Sequence, residues 1–408
     1  MNLSTKFGIV FAILAAALYQ GFLKTTLFTT VGLGRVVQPI SDFPGYQCRR
    51  IHDPRLEACE DMWLSEETRQ LFLACSSSAS RKEWMPNVGR LNASGRSLND
   101  AIIAMDIDKP KGDSFSYQTL KTPGFGGVNG DGRLHLVGFT ARDVKPKDGD
   151  KRTTEFYLVN AKPSVDSETG ALLDNAKVGP NMTIESFVMQ QGSTELKHVK
   201  TFHDQHITTP NNIAIDHVDG QPAFFFTNDH GTATHGIKHS LAPLIAEGNI
   251  GYCSGTTCRV LSSSWKFPNG LLRGRDDRLY VPSAWVGGIK VFKVNVDRSL
   301  EQVSYIDIDY PLDNLSQDVN GDIWAAGIPK ALKIFAAFDD PLHVVSPATI
   351  FRIRRGLDGW EVKKVLEDAN GEMLPGATTA IHDVKTGRIF VSGVTAPFIT
   401  VCDPAKRK

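Results

Sequence analysis

The chain has 408 residues, with 45 Lys+Arg against 45 Asp+Glu, so its formal net charge is zero. That length holds a large core, in one big all-β domain or several smaller ones. The charge balance gives nucleic acid no excess of cations to grip, so no nucleic-acid partner is expected.

The N-terminus has the pattern of an export signal. Residues 1–35 form a signal peptide or signal anchor: one lysine precedes an uncharged apolar run over 8–18, the length of a signal h-region. Extended to Leu23, the run is slightly short for a comfortable membrane span. No small-x-small cleavage site comes after it, so a secreted form and a membrane-anchored form are both open, the second with lipid association through this helix. Passage through the secretory pathway is expected either way.

Six cysteines agree with an oxidising compartment. Cys253 and Cys258 flank a turn, Cys59 and Cys75 bracket two strand-like runs, and Cys48 and Cys402 stand near the two ends of the folded region. Six cysteines leave many pairings open. Asn92-Ala93-Ser94 and Asn181-Met182-Thr183 are glycosylation sequons.

Beyond residue 36 the chain repeats itself. Four polar motifs each precede a short apolar run: Cys59-Glu60-Asp61-Met62, Pro210-Asn211-Asn212-Ile213, Pro268-Asn269-Gly270-Leu271 and Leu312-Asp313-Asn314-Leu315. A turn comes next, then a second strand with an aromatic. Six such second strands can be aligned, over 70–75, 155–160, 223–228, 278–283, 322–327 and 388–393. Asn320-Gly321, Thr386-Gly387 and Asp276-Asp277 supply hairpin turn chemistry. The second unit is longer, its extra length falling in a Lys/Asp-rich loop over 143–152, and residues 164–180 read as a polar excursion from a blade.

Six units of this kind predict an all-β, six-bladed β-propeller over 36–404, with a charged tail at 405–408. A propeller must join its first and last blades or leave sheet edges open. The segment 398–402 is the expected last strand, beside the chain around Cys48.

In a propeller the inner strands line the central channel, and their first residues face its mouth. Glu60, Asn211, Asn269, Asp313 and Asn314 are therefore expected around one point. Two carboxylates and three carboxamides suit Ca²⁺, which takes about 6–8 oxygens. Asp61 and Asn212, one step deeper, would help bind a second ion. Asn314 also matches a sequon but is expected to face inward, where no glycan fits. His135 is aligned with the matching position of the second unit and is the candidate general base, whereas His230 reads as a structural hydrogen-bonding group. Neither a Gly-x-Ser-x-Gly elbow nor a His-Glu-x-x-His helix is present in the sequence.

These residues resemble the serum paraoxonase/arylesterase family, six-bladed calcium-dependent hydrolases of lactones and esters. The resemblance runs from about Val36 to Cys402. It rests on Cys48, Glu60-Asp61, the 210–213 motif with Thr227-Asn228-Asp229-His230, the 268–270 and 312–315 motifs, Asp322-Ile323-Trp324, 377–380 and Cys402. It implies two calcium ions: a catalytic one held by Glu60, Asn211, Asn269, Asp313 and Asn314, and a structural one at Asp61. It also implies a closing Cys48–Cys402 disulfide and a small ester or lactone as substrate. Three positions depart from the family pattern. Asn212 stands in place of an aspartate of the structural site, Ala161 in place of a second histidine, and Gly327-Ile328 in place of a cysteine-histidine pair. Two alternatives stand beside the hydrolase: a gluconolactonase-like or strictosidine-synthase-like propeller enzyme, and a non-catalytic propeller that binds a ligand with calcium serving stability.

Overall fold

The structure is a computed structural model that describes residues 3–145, 151–216, 221–234, 236, 239, 241 and 244–405. Residues 406–408 of the expected 405–408 tail and the centre of the 143–152 loop lie outside them. Six four-stranded antiparallel sheets are arranged as the blades of a propeller. Inner strands are Asp61–Ser65, Leu136–Val144, Pro210–Ile215, Leu272–Arg273, Leu312–Gln317 and Thr379–Asp383. The aromatic-bearing second strands are Gln70–Cys75, Thr153–Lys162, Ala223–Asn228, Arg278–Pro282, Ile323–Gly327 and Arg388–Ser392.

Those second strands are almost wholly buried because each blade is covered on both faces by its neighbours, which is why they read as continuous apolar runs. Phe72 of the first blade meets Phe156 of the second edge-to-face at 5.1 Å, and Tyr157 of the second meets Phe224 of the third at 5.2 Å. Tight hairpins end the strands. Gly321 (φ +86°) in the fifth blade supplies the left-handed residue that an Asn-Gly turn needs.

The sixth blade is composite. Its outermost strand, Tyr46–Ile51, comes from the start of the folded region and pairs antiparallel with Ile399–Pro404, placing Cys48 opposite Cys402. These two cysteines are bonded across 354 residues, a loop whose closure is worth about 6 kcal/mol in chain-entropy terms. Cys59–Cys75 and Cys253–Cys258 form the other disulfides, and no cysteine is free.

The helix Leu3–Leu18 stands off the propeller with exposed apolar side chains. The helical stretch 5–30 is long and apolar enough to cross a membrane, a property it shares with signal sequences. The C-terminal end of this stretch, together with the turn after it, is docked to the propeller. The Thr30 hydroxyl donates to the Trp285 carbonyl (2.7 Å) and Arg35 to the Pro329 carbonyl (2.7 Å), while Lys330 donates to the Gly32 carbonyl (2.6 Å). Arg35 also stacks over the Tyr310 ring at 4.1 Å. Trp285 walls the mouth of the central channel, so the apolar helix leaves the molecule at that mouth.

Candidate metal centre

The inner strands begin with a shared irregularity. Leu136, Pro210 and Leu312 pair with Asn160, Asn228 and Gly327, and regular pairing resumes only at Phe139, Ile213 and Leu315. One extra residue is accommodated each time, a β-bulge that re-aims side chains. The bulged pairs are Val137-Gly138, Asn211-Asn212 and Asp313-Asn314. In the other blades Glu60-Asp61, Asn269-Gly270 and Thr378-Thr379 occupy the same place, since the amides of Glu60, Asn269 and Thr378 bond to the carbonyls of Ala74, Pro282 and Ser392. Two stacked rings result. The upper ring is Glu60, Val137, Asn211, Asn269, Asp313 and Thr378. The lower ring is Asp61, Gly138, Asn212, Gly270, Asn314 and Thr379.

Glycine recurs below because the lower ring is tight. A Cβ on Gly138 would strike the Asn211 carbonyl oxygen, and one on Gly270 the Asn314 side chain.

A cavity of about 90 Å³ lies on the upper ring, and Glu60, Asn211, Asn269, Asp313 and Thr378 line it. Phe267, Trp285, Ile328, Ile334, Phe335, Phe338 and Val394 form an apolar wall around these polar groups. Ile334, Phe335 and Phe338 come from one helix, Ala331–Asp339, inserted after the second strand of the fifth blade. On the opposite face a separate space of about 550 Å³ reaches Asp61 and Asn212 from below.

Three of the expected ligands hold a buried oxygen with no partner: Glu60 Oε2, Asn211 Oδ1 and Asp313 Oδ1. Leaving such atoms unpaired is costly. Desolvation, with the neighbouring Asp61 and Asp313 charges, holds the Glu60 carboxyl well above its ordinary pKa, and desolvation with the Asp61 and Asp229 charges does the same for Asp313. A cation between them removes both problems, so the donor set fits Ca²⁺. Asn269 also lines the cavity, and its Oδ1 accepts from the Gly270 amide at 2.8 Å. Asn314 lies one ring lower. Its nitrogen donates to Glu60 Oε1 (3.1 Å) and its oxygen accepts from Asn212 (2.8 Å). Among the described residues no three His, Cys, Asp or Glu converge as a metal cluster; amide oxygens dominate this set.

His135 stands elsewhere. It lies two residues before the bulge, so Val137, not His135, holds the upper-ring position of the second blade. His135 is 2% exposed, is absent from the cavity lining, and has no partner on either ring nitrogen. Burial pushes its pKa down to about 4. The sequence did carry the right signal: Val137-Gly138-Phe139 aligns with Asn269-Gly270-Leu271 through the glycine.

One polar residue on the wall was not foreseen. Asn87 sits in the turn Pro86–Val88, outside the repeat, and is 1% exposed. Its nitrogen donates to Asp229 Oδ2 (2.6 Å) and the Pro210 carbonyl (3.2 Å), which leaves its buried oxygen unpartnered on a residue of the cavity wall. Asp229 also binds His230 Nδ1 at 2.7 Å, which gives His230 its structural partner. Of the sequon asparagines, Asn92 and Asn181 are exposed and Asn314 is buried.

A sequence profile of the arylesterase family matches residues 106–396. The chain is similar to serum paraoxonase/arylesterase 2 of Homo sapiens, 27% identical over 293 residues that cover 69% of this chain and 81% of that one. The corresponding protein of Gallus gallus is 25% identical over 301 residues, 71% of this chain and 82% of that one. A gluconolactonase structure from Xanthomonas campestris superposes with a TM-score of 0.47 at 12% identity, over 90% of this chain and 94% of that chain.

Proposed function

The chain belongs to the arylesterase family, whose profile covers most of it, and on that premise we propose that it is a calcium-dependent hydrolase of carboxylic esters or lactones. The observation that carries the reading is the group of unpartnered buried oxygens on Glu60, Asn211 and Asp313 inside an apolar-walled cavity. Glu60, Asn211, Asn269 and Asp313 would hold the ion; Asn314, expected as a fifth ligand, turns its nitrogen to Glu60 and its oxygen to Asn212. Calcium, when bound, supplies Lewis-acid polarisation of a substrate carbonyl and stabilises the oxyanion that develops there.

The remaining steps belong to side chains. Phe267, Ile334, Phe335 and Phe338 take the apolar part of the substrate and exclude bulk water. A water attacking the carbonyl carbon must lose a proton, and among the described wall residues only Glu60 and Asp313 can accept it. We assign that role to Asp313 and not to His135: Glu60 also has an unpartnered oxygen, but its Oε1 is already held by the Asn314 amide. The Asn87 oxygen accepts the water's other hydrogen and so fixes its direction. As the C–O bond breaks, the leaving alkoxide takes a proton back.

The exposed apolar helix and the three disulfides support a place in the secretory pathway, either secreted or held at a membrane by residues 1–35. Exposed Asn92 and Asn181 are the proposed glycan sites. A panel of lactones and aryl esters, assayed with and without a calcium chelator, tests the reading. Turnover abolished by the chelator and restored by calcium is expected; no turnover of any ester or lactone overturns it and favours a ligand-binding propeller.

A further inference from the structure

The lower ring is built differently from the upper one. Asp61 and Asn212, the pair placed to share a second ion, have no unpartnered side-chain atom. Asp61 Oδ1 accepts from the Met62 amide (2.8 Å) and the Thr379 hydroxyl (3.1 Å). Asp61 Oδ2 accepts from the Phe139 amide (3.1 Å) and from Asn212 Nδ2 (3.0 Å). The same Asn212 nitrogen donates its second hydrogen to Asn314 Oδ1 at 2.8 Å, and Asn212 Oδ1 accepts from the Ile213 amide at 2.7 Å.

The orientation of the Asn212 carboxamide is fixed from both sides. A carboxylate and a carbonyl oxygen face its nitrogen, and a backbone N–H faces its oxygen, so reversing it would lose all three bonds. A –NH₂ group therefore lies between the oxygens of Asp61 and Asn314, where a cation would have to sit. Gly138 and Gly270 add no side-chain oxygen to this ring. Asp61 is its single carboxylate, a weak charge complement for a divalent ion whose affinity depends on ligand charge.

We infer that this protein binds one calcium ion per chain, and that the Asn212 amide takes the place of a second by donating to Asp61 and Asn314. This rests on the reading of the upper ring as a calcium site. The network joins the first, third and fifth blades across the channel floor and separates the upper cavity from the space below, without a metal.

Calcium stoichiometry tests it independently of activity. The full chain is stripped with a chelator, titrated with Ca²⁺ by calorimetry and weighed by native mass spectrometry. One ion is expected for the wild type and two for Asn212→Asp, which exchanges the blocking –NH₂ for a second carboxylate. Asp313→Ala should bind none. Two ions in the wild type, or one in Asn212→Asp, overturn the inference while leaving the upper site standing. No ion in the wild type overturns the calcium reading itself.

Discussion

Asn87 donates its side-chain amide to the Asp229 carboxylate at 2.6 Å, and the carboxamide oxygen this leaves over is a wall acceptor contributed from outside the two rings. Asn87→Leu removes that oxygen and strips Asp229 Oδ2 of its donor. Stability should fall by about 1–3 kcal/mol, the usual result of leaving a buried acceptor unpaired. If the oxygen orients water, kcat should fall at least tenfold with little change in KM. A stability loss with kcat unchanged would show Asn87 to be a brace for Asp229 alone.

Asp313→Asn removes a charge from a place where desolvation and the Asp61 and Asp229 carboxylates oppose it. In chelator the variant should melt at a higher temperature than the wild type. In excess calcium the order should reverse, because the variant loses a charged ligand and with it the stabilisation that binding gives the folded state. Paired thermal melts with and without calcium read both signs.

The same carboxyls give the metal-free protein a pH dependence. Burial first, then neighbouring carboxylates, raises the pKa of Glu60 and Asp313, and burial raises Asp61 to about 6. A folded-state pKa above the unfolded one contributes stability that is present at low pH. That contribution is lost as pH climbs from the ordinary carboxylate range through the raised value. The chelated protein should therefore be more stable near pH 5 than near pH 7.5, by about 1.4 kcal/mol per pH unit for each carboxyl ionising in the window. Calcium competes with those protons, so at saturating calcium the trend should invert. Urea titrations at the two pH values decide it.

His135 has two unpartnered ring nitrogens in a buried site that keeps it neutral. His135→Leu should leave hydrolysis within about twofold of wild type and stability unchanged or slightly raised, since it replaces an unsatisfied polar group by an apolar one. A hundredfold loss of kcat in a folded variant would return His135 to the catalytic machinery.

How legible all this was depended on repetition. The second strands could be read from their aromatics because both faces of every blade are covered, and Asp322-Ile323-Trp324 or Ala223-Phe224-Phe225-Phe226 admit few other interpretations. Glu60, Asn211, Asn269 and Asp313 were readable because the same bulge recurs blade after blade. His135 misled because the bulge inserts a residue: counting from the apolar run lands two positions early, and only the glycine of Val137-Gly138 marks the true register. Asn87 had no comparable signal. It lies in an excursion between the second and third strands of the first blade, where no period fixes which face a side chain takes, and only the completed packing against Asp229 reveals it.

Glu60, the first of the proposed ligands to be synthesised, is held in place by the last blade. The hydroxyl of Thr378 donates to its carbonyl oxygen at 2.7 Å, and the blade that carries it is complete only when Tyr46–Ile51 pairs with Ile399–Pro404. A growing chain that already contains Glu60, Asn211, Asn269 and Asp313 thus has every ligand in hand and no site. On the proposed ligand set, release of the C-terminal strand from the ribosome would be the step that assembles it. Metal capture would then be a signature of finished synthesis, and chains truncated before Cys402 should emerge metal-free however much of the propeller they contain.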